Sequence, residues 1–146
     1  MQQSINRLDH VAFLVRRENI PKFKKQLSDT LGVKWDEEVV YEKAGMMVVP
    51  SWDAGIELVA PLHESGQLWE RIQKFGEGSC TLVFGVRDLD SSVQRVEENG
   101  GVFMFNIELD GDEPWLKRFR VFREARVKLF DTEFATGFTL GQIEPS

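Results

Sequence analysis

Short apolar segments alternate with amphipathic segments along the first half of the chain. Residues 8–16 alternate in polarity and are rich in Val, Phe and Leu, which predicts a buried strand. Asn19 can cap a helix that has Pro21 at its second position and stops at Gly32. The first half is predicted to complete one βαβββ module with three further strands, at residues 37–43, 46–52 and 55–61.

The second half follows the same order after a joining helix. Residues 66–78 carry apolar side chains at helical spacing, and residues 79–86 predict the next strand. Asp88 or Asp90 can cap the helix that comes next. We expect residues 113–124 to form a short helix or a mobile flap. Three strands complete the second module, at residues 102–109, 125–130 and 137–143.

The opening strands of the two halves share a sequence pattern. LDHVAFLV, residues 8–15, returns as CTLVFGV, residues 80–86, and a constant offset of 71 places His10 against Thr81. Solenoid and propeller repeats are shorter than this. The offset therefore predicts two similar modules within one domain.

The closing strands are related in the same way. GIELVAPL, residues 55–62, ends the first half, and GFTLGQIE, residues 137–144, ends the second, so that Thr139 falls opposite Glu57. We predict a single domain over residues 1–146, with module one at about 6–62, the joining helix at about 66–78 and module two at about 79–144.

These four segments resemble the vicinal oxygen chelate superfamily, which includes glyoxalase I, methylmalonyl-CoA epimerase, extradiol dioxygenases and the bleomycin and fosfomycin resistance proteins. The resemblance implies an α+β fold in which two tandem βαβββ modules form a cupped mixed sheet with helices outside. It implies one metal-ligand position near the start of the first strand of each module and one on its last strand. It also implies a homodimer. The four positions hold His10, Glu57, Thr81 and Thr139.

A catalytic metal of the glyoxalase type is not expected from this set of residues. Catalytic zinc normally takes three protein ligands, and non-haem iron takes two His and one carboxylate. His63 is the only other histidine, and it lies six residues past Glu57, where the chain should have left the cup. Threonine hydroxyls are poor ligands for these ions. We expect no cofactor, with a divalent metal at His10 and Glu57 as the alternative.

Composition narrows the class of protein. A chain of 146 residues can bury roughly two thirds of its unfolded surface. No apolar run reaches the length of a membrane span, and the N-terminus lacks an apolar signal core. The single cysteine, Cys80, agrees with a reducing compartment, so we expect a cytoplasmic protein. The net charge of -6 argues against nucleic acid, and a small-molecule ligand is the expected partner.

Basic residues are concentrated in one segment of this acidic chain. Six of the twelve residues from 117 to 128 are basic, against one acid, Glu124. The segment is either an ordinary solvated surface or a dock for a carboxylate, a phosphate or a coenzyme A tail. Arg123 and Arg126 are the candidate substrate-binding residues of such a dock.

Aromatic residues indicate what else the cup could hold. Trp52 ends a predicted strand, and Trp115 lies in the segment where the two modules diverge. With Tyr41 and Phe105 they predict an apolar, aromatic or polycyclic ligand, because aromatic rings give a cavity a large apolar area. Ordinary core packing is the alternative for each of them.

His10 and Glu57 are the candidate catalytic residues. Strand alternation aims both into the cup, together with the hydroxyls of Thr81 and Thr139. A carboxylate or imidazole in apolar surroundings can act as a general base, and a neighbouring hydroxyl can hold a developing oxyanion. The sequence therefore predicts a metal-independent isomerase, epimerase, lyase or cyclase that acts on a small apolar or aromatic organic substrate.

Other functions stay open from the sequence. A non-catalytic protein of the bleomycin-resistance type, which binds and sequesters a drug or metabolite, needs only the cup and its aromatic residues. A metal-dependent lyase or dioxygenase is the third possibility. His10 and Glu57 favour the enzyme, although a structural hydrogen-bonded pair would also account for them.

Overall fold

The chain forms a mixed β-sheet accompanied by three α-helices. The computed structural model describes residues 2–146, and within them it contains eight strands, three α-helices and two short 3-10 helices. The helices are α1 (Ile20–Leu31), α2 (Gln67–Phe75) and α3 (Leu89–Glu98), and the 3-10 helices are Arg17–Asn19 and Leu116–Arg118. The strands are β1 (Arg7–Leu14), β2 (Val39–Tyr41), β3 (Met46–Ser51), β4 (Ile56–Pro61), β5 (Gly78–Gly85), β6 (Val102–Asn106), β7 (Phe119–Lys128) and β8 (Gly137–Pro145).

The strand order is the same in both halves of the sheet. Across the sheet the order is β2-β3-β4-β1-β5-β8-β7-β6. Outward from β1 it runs β1-β4-β3-β2, and outward from β5 it runs β5-β8-β7-β6. Strands β5 and β8 are parallel, whereas β7 is antiparallel to both β6 and β8. The predicted α+β fold of two tandem βαβββ modules is therefore confirmed.

The chain divides into two compact units. One consists of the residues up to Val11 together with Thr81–Ser146, and the other is Ala12–Cys80. No helix among residues 2–146 has the length and apolar character that a membrane span requires.

In the unit Ala12–Cys80, helix α1 packs against β3 and β4. Leu58 and Ala60 of β4 belong to this buried core, so the alternate residues Glu57 and Val59 face away from α1. Helix α1 ends where it was predicted to, because Gly32 adopts a left-handed conformation with φ of 71°. The remaining buried members of the core are Val15, Ile20 and Val49.

The start of α1 is held in a way that the sequence did not reveal. The side chain of Asn19 makes no capping bond to the helix. Its amide donates instead to both carboxylate oxygens of Glu77, each at 3.0 Å. Glu77 also accepts the backbone N–H of Arg16 at 2.8 Å. The segment before α1 is thereby fastened to the segment before β5.

In the other unit, helix α3 packs on β7 and β8. Its apolar contacts include Ala125 and Val127 of β7 and Leu140 of β8, all buried. Asp88 caps the helix, as predicted, by accepting the backbone N–H of Ser91 at 2.9 Å. That hydrogen bond lowers the pKa of the Asp88 carboxyl.

Residues 113–124 differ from the prediction. Only Leu116–Arg118 forms a short helical turn, and residues 119–124 belong to β7 rather than to a helix or flap. The register of β7 against β8 shifts between Phe119 and Val121. This irregularity changes the phase of the apolar positions, so the period of two that marks a strand is broken in the sequence.

Candidate functional site

The buried imidazole of His10 lies between two carboxylates. His10 is on β1, and its side chain is 1% exposed. Its Nδ1 atom is 2.7 Å from Oδ1 of Asp9, the preceding residue. Its Nε2 atom is 3.5 Å from Oε2 of Glu124, whose side chain is 10% exposed. The imidazole therefore has an acidic partner at each nitrogen, and these partners were not among the predicted site residues.

The side chains of β7 point alternately to the two faces of the sheet, and this accounts for the position of Glu124. Because Ala125 and Val127 pack under α3, Glu124 and Arg126 point to the other face of the sheet. Glu124 is paired in register with Gly141 of β8, which has no side chain to fill the space beside it. The one acid in the basic segment thus reaches the imidazole.

Two threonine hydroxyls form a second polar contact in the same unit. Oγ1 of Thr81 on β5 and Oγ1 of Thr139 on β8 are 2.9 Å apart, and both residues are buried. Thr139 is paired in register with Arg126 on β7. Paired residues of antiparallel strands share a face, so the threonine pair lies on the face that carries Glu124.

Glu57, the other predicted catalytic residue, belongs to the unit Ala12–Cys80. It lies on β4 opposite Pro50 of β3, is partly buried, and faces away from α1. Two predicted ligand-contact residues lie in the same unit and are buried. Tyr41 is opposite Met46, and Trp52 follows β3, where its backbone N–H is held by Asp36.

Residues 119–128 of the basic segment form β7, and the arginines of this strand point in different directions. Arg123 forms an ion pair with Asp90 of α3 at 2.8 Å, on the helix side of the sheet. Arg120 forms an ion pair with Glu144 of β8. Arg126, half-buried beside Thr139, is the arginine on the face of Glu124. The structure thus divides what the sequence suggested as one cluster.

Trp115 and Phe105, the other two aromatic residues predicted to contact a ligand, differ in solvent exposure. Trp115 is buried against Phe119 and Phe122, with ring centroids 6.4 and 5.3 Å away. Phe105 is 47% exposed on β6, at the edge of the sheet, and is paired in register with Arg126. Phe105 is therefore the more accessible of the two to a ligand.

The side chains at the implied metal-ligand positions do not fit a metal centre. Two of those positions hold Thr81 and Thr139, whose hydroxyls bind each other. Nδ1 of His10 is taken by Asp9. Among residues 2–146 no group of three or more His, Cys, Asp or Glu side chains is placed to hold a metal ion. The donor set differs from the three-ligand sites that catalytic metals use.

Glu124 is the functional candidate that reasoning from the sequence missed. The sequence does single out Glu124, because it is the one acidic residue within the basic segment 117–128. Side chains alternate between the two faces of a strand, so counting from the buried Ala125 also places Glu124 on the face away from the core. The expectation of a helix or flap over 113–124 hid that alternation.

Comparison with known proteins supports the fold. The chain matches no protein-family model, and no curated protein matches its sequence. A hypothetical protein from Bacillus halodurans C-125 is similar over 95% of each chain, with 20% identity and a TM-score of 0.74. Methylmalonyl-CoA epimerase from Mycobacterium tuberculosis is similar over 100% of this chain and 92% of its own, with 22% identity and a TM-score of 0.69.

A third structure is a variant of Streptomyces coelicolor methylmalonyl-CoA epimerase in complex with 2-nitronate-propionyl-CoA. It is similar over 95% of this chain and 98% of its own, with 18% identity and a TM-score of 0.72. These likenesses show that the chain has the fold of the vicinal oxygen chelate superfamily, as the sequence resemblance implied.

Proposed function

We propose that this chain is a proton-transfer enzyme without a resident metal ion. It removes a hydrogen from a carbon next to a carbonyl group and returns one, as an isomerase or epimerase does. The observation that supports this most is the buried imidazole of His10 with a carboxylate at each nitrogen. Such a group is costly to bury, and ionisable groups in special surroundings cluster at functional sites.

Asp9 selects the atom of His10 that reacts. A carboxylate 2.7 Å from Nδ1 accepts the hydrogen on that nitrogen, which leaves Nε2 as the atom that gives or takes a proton. Loss of the substrate's hydrogen leaves the electron pair on the carbonyl oxygen as an enolate. The Thr81–Thr139 pair is suited to hold that oxygen, because one of its two hydroxyl hydrogens joins the pair and the other can turn toward the substrate as a buried donor. Glu57 stays the second candidate base.

Arg126 favours a substrate with an anionic group. A guanidinium binds carboxylate or phosphate through two parallel hydrogen bonds. A coenzyme A thioester of a small branched acid is the first candidate, since two of the similar structures are methylmalonyl-CoA epimerases. A small apolar or aromatic carbonyl compound is the second, supported by the exposed ring of Phe105.

Hydrogen exchange at carbon tests the proposal. The protein, dialysed against a chelator, is incubated in D2O with methylmalonyl-CoA and, separately, with an α-branched aryl ketone. We expect mass spectrometry to show one deuterium at the carbon beside the carbonyl of at least one compound. His10→Asn should slow this exchange by about 10²–10⁴-fold, which is the usual contribution of general acid-base groups.

Two outcomes would contradict the proposal. Exchange that disappears with the chelator and returns with one equivalent of a divalent ion would identify a metalloenzyme. Tight binding of a compound without exchange would identify a protein that sequesters its ligand.

A further inference from the structure

Glu124 is a second carboxylate beside His10, and the ring does not need it for orientation. Asp9 at 2.7 Å already fixes Nδ1. Nε2 of His10 and Oε2 of Glu124 are 3.5 Å apart, and catalytic pairs can be this far apart before substrate binds.

We propose that Glu124 removes the substrate's hydrogen and that Nε2 of His10 returns one, both on the same face of the substrate. The inference rests on the proposed function and assigns its two proton-transfer steps.

The cycle closes without a further reactant. The C–H bond breaks as Oε2 of Glu124 takes the hydrogen, and the electron pair moves to the carbonyl oxygen. His10 starts as an imidazolium with a hydrogen on each nitrogen, and its Nε2 gives a proton to the carbon, which forms the new C–H bond and leaves Nε2 with a lone pair. The hydrogen on Glu124 then crosses to Nε2, and both groups return to their starting state.

The distance between the two groups limits the stereochemistry. Groups that act on opposite faces of one planar carbon each lie about 3 Å from it, so about 6 Å separates them. Nε2 of His10 and Oε2 of Glu124 are 3.5 Å apart and reach one face only. A hydrogen returned to the same carbon therefore keeps its configuration, and one returned to a neighbouring carbon gives an isomer.

This geometry favours a particular class of substrate. Carbonyl compounds in which hydrogen shifts along one face, such as α-hydroxy carbonyl or β,γ-unsaturated carbonyl compounds, need no base on the opposite side. Arg126 follows Glu124 on the same face of β7 and adds a positive charge near the enolate. Inversion at a single carbon would require a further base beyond this pair.

The experiment uses single enantiomers of methylmalonyl-CoA, of the α-branched aryl ketone and of an α-hydroxy ketone in D2O. We expect the wild-type protein to incorporate deuterium while the configuration is retained. Glu124→Gln should slow exchange by at least about 100-fold, because the amide keeps the shape but cannot take a proton. Glu97→Gln, which neutralises an exposed acid on α3, is the matched control and should exchange at the wild-type rate.

A substitution at a buried acid can also harm folding, so circular dichroism is recorded for each variant. If Glu124→Gln does not fold, Glu124→Asp carries the test, because its carboxylate is withdrawn by one methylene and should give slower exchange with normal ligand binding. Exchange with inversion at an equal rate, or undiminished exchange in the folded Glu124 variants, overturns the inference. Absence of exchange in the wild-type protein overturns the proposed function instead.

Discussion

At the level of single residues, Thr81 and Thr139 depend on each other because both hydroxyls are buried. Thr139→Val leaves the Thr81 hydroxyl without its short partner, and we expect the free energy of unfolding to fall by about 1–3 kcal/mol. Thr139→Ser keeps the hydroxyl and should lose less. The double variant Thr81→Val/Thr139→Val should lose less than the sum of the single changes, since no polar group is then stranded. Urea unfolding is measured for the wild type, Thr81→Val, Thr139→Val, Thr139→Ser and the double variant, and strictly additive losses would contradict the dependence.

The sequence could predict the burial of His10 but not its partners. An alternating apolar strand with one polar position is enough to place His10 toward the interior. The contact with Glu124 depends on how β7 is aligned with β8 and where β1 lies, and no local pattern records that alignment. The strand that carries Glu57 has a clear pattern in the sequence, and the catalytic role of Glu57 stays a prediction.

At the level of secondary structure elements, the alternation of β7 separates Arg126 from Arg123. Arg126→Glu should weaken binding of methylmalonyl-CoA, and the loss should be larger at low salt because screening is weaker there. Arg123→Glu is the matched control, since that side chain pairs with Asp90 on the helix side. Titration calorimetry at two salt concentrations measures both. Equal affinities for the two variants would mean that Arg126 is an ordinary surface residue.

Strand β5 is also where the N-terminal segment is held. A Cβ atom added to Gly85 would lie 2.1 Å from the backbone oxygen of Ser4, and the N–H of Asn6 donates to the Gly85 carbonyl at 2.8 Å. Gly85→Ala should therefore push this segment away and cost about 1–3 kcal/mol of stability. Gly78→Ala on the same strand meets nothing within 4 Å and should be close to wild type. Thermal unfolding compares the two, and equal midpoints would contradict the packing argument.

At the level of the whole molecule, we expect the purified protein to hold less than one equivalent of transition metal. A metal that binds the folded state stabilises it in proportion to the logarithm of its concentration over Kd. With Thr81 and Thr139 at two ligand positions, added zinc, nickel or manganese should leave the melting temperature unchanged. Elemental analysis and thermal unfolding with and without chelator are the measurements. One tightly held equivalent that is lost in His10→Ala would contradict the expectation.

The order of elements was predictable across the molecule because each element leaves its own local signal. The spacing of apolar residues indicates each helix and strand. Gly32 marks the end of α1 and Asp88 marks the start of α3, each to within a few residues. The prediction of a helix or flap over residues 119–124 was wrong because a bulge changes the phase of the apolar positions in β7. The site is harder to predict than the fold, since its contacts join strands that are distant in the sequence.

The unit that holds His10 and Glu124 is assembled from both ends of the chain, with Ala12–Cys80 between them. During synthesis β1 leaves the ribosome long before β7 exists, so His10 must wait for Glu124, which comes more than 100 residues later. The unit Ala12–Cys80, which lacks the paired acid and imidazole, is fully synthesised before Glu124 is added to the chain. A chain released before β7 is complete therefore lacks the contact between His10 and Glu124.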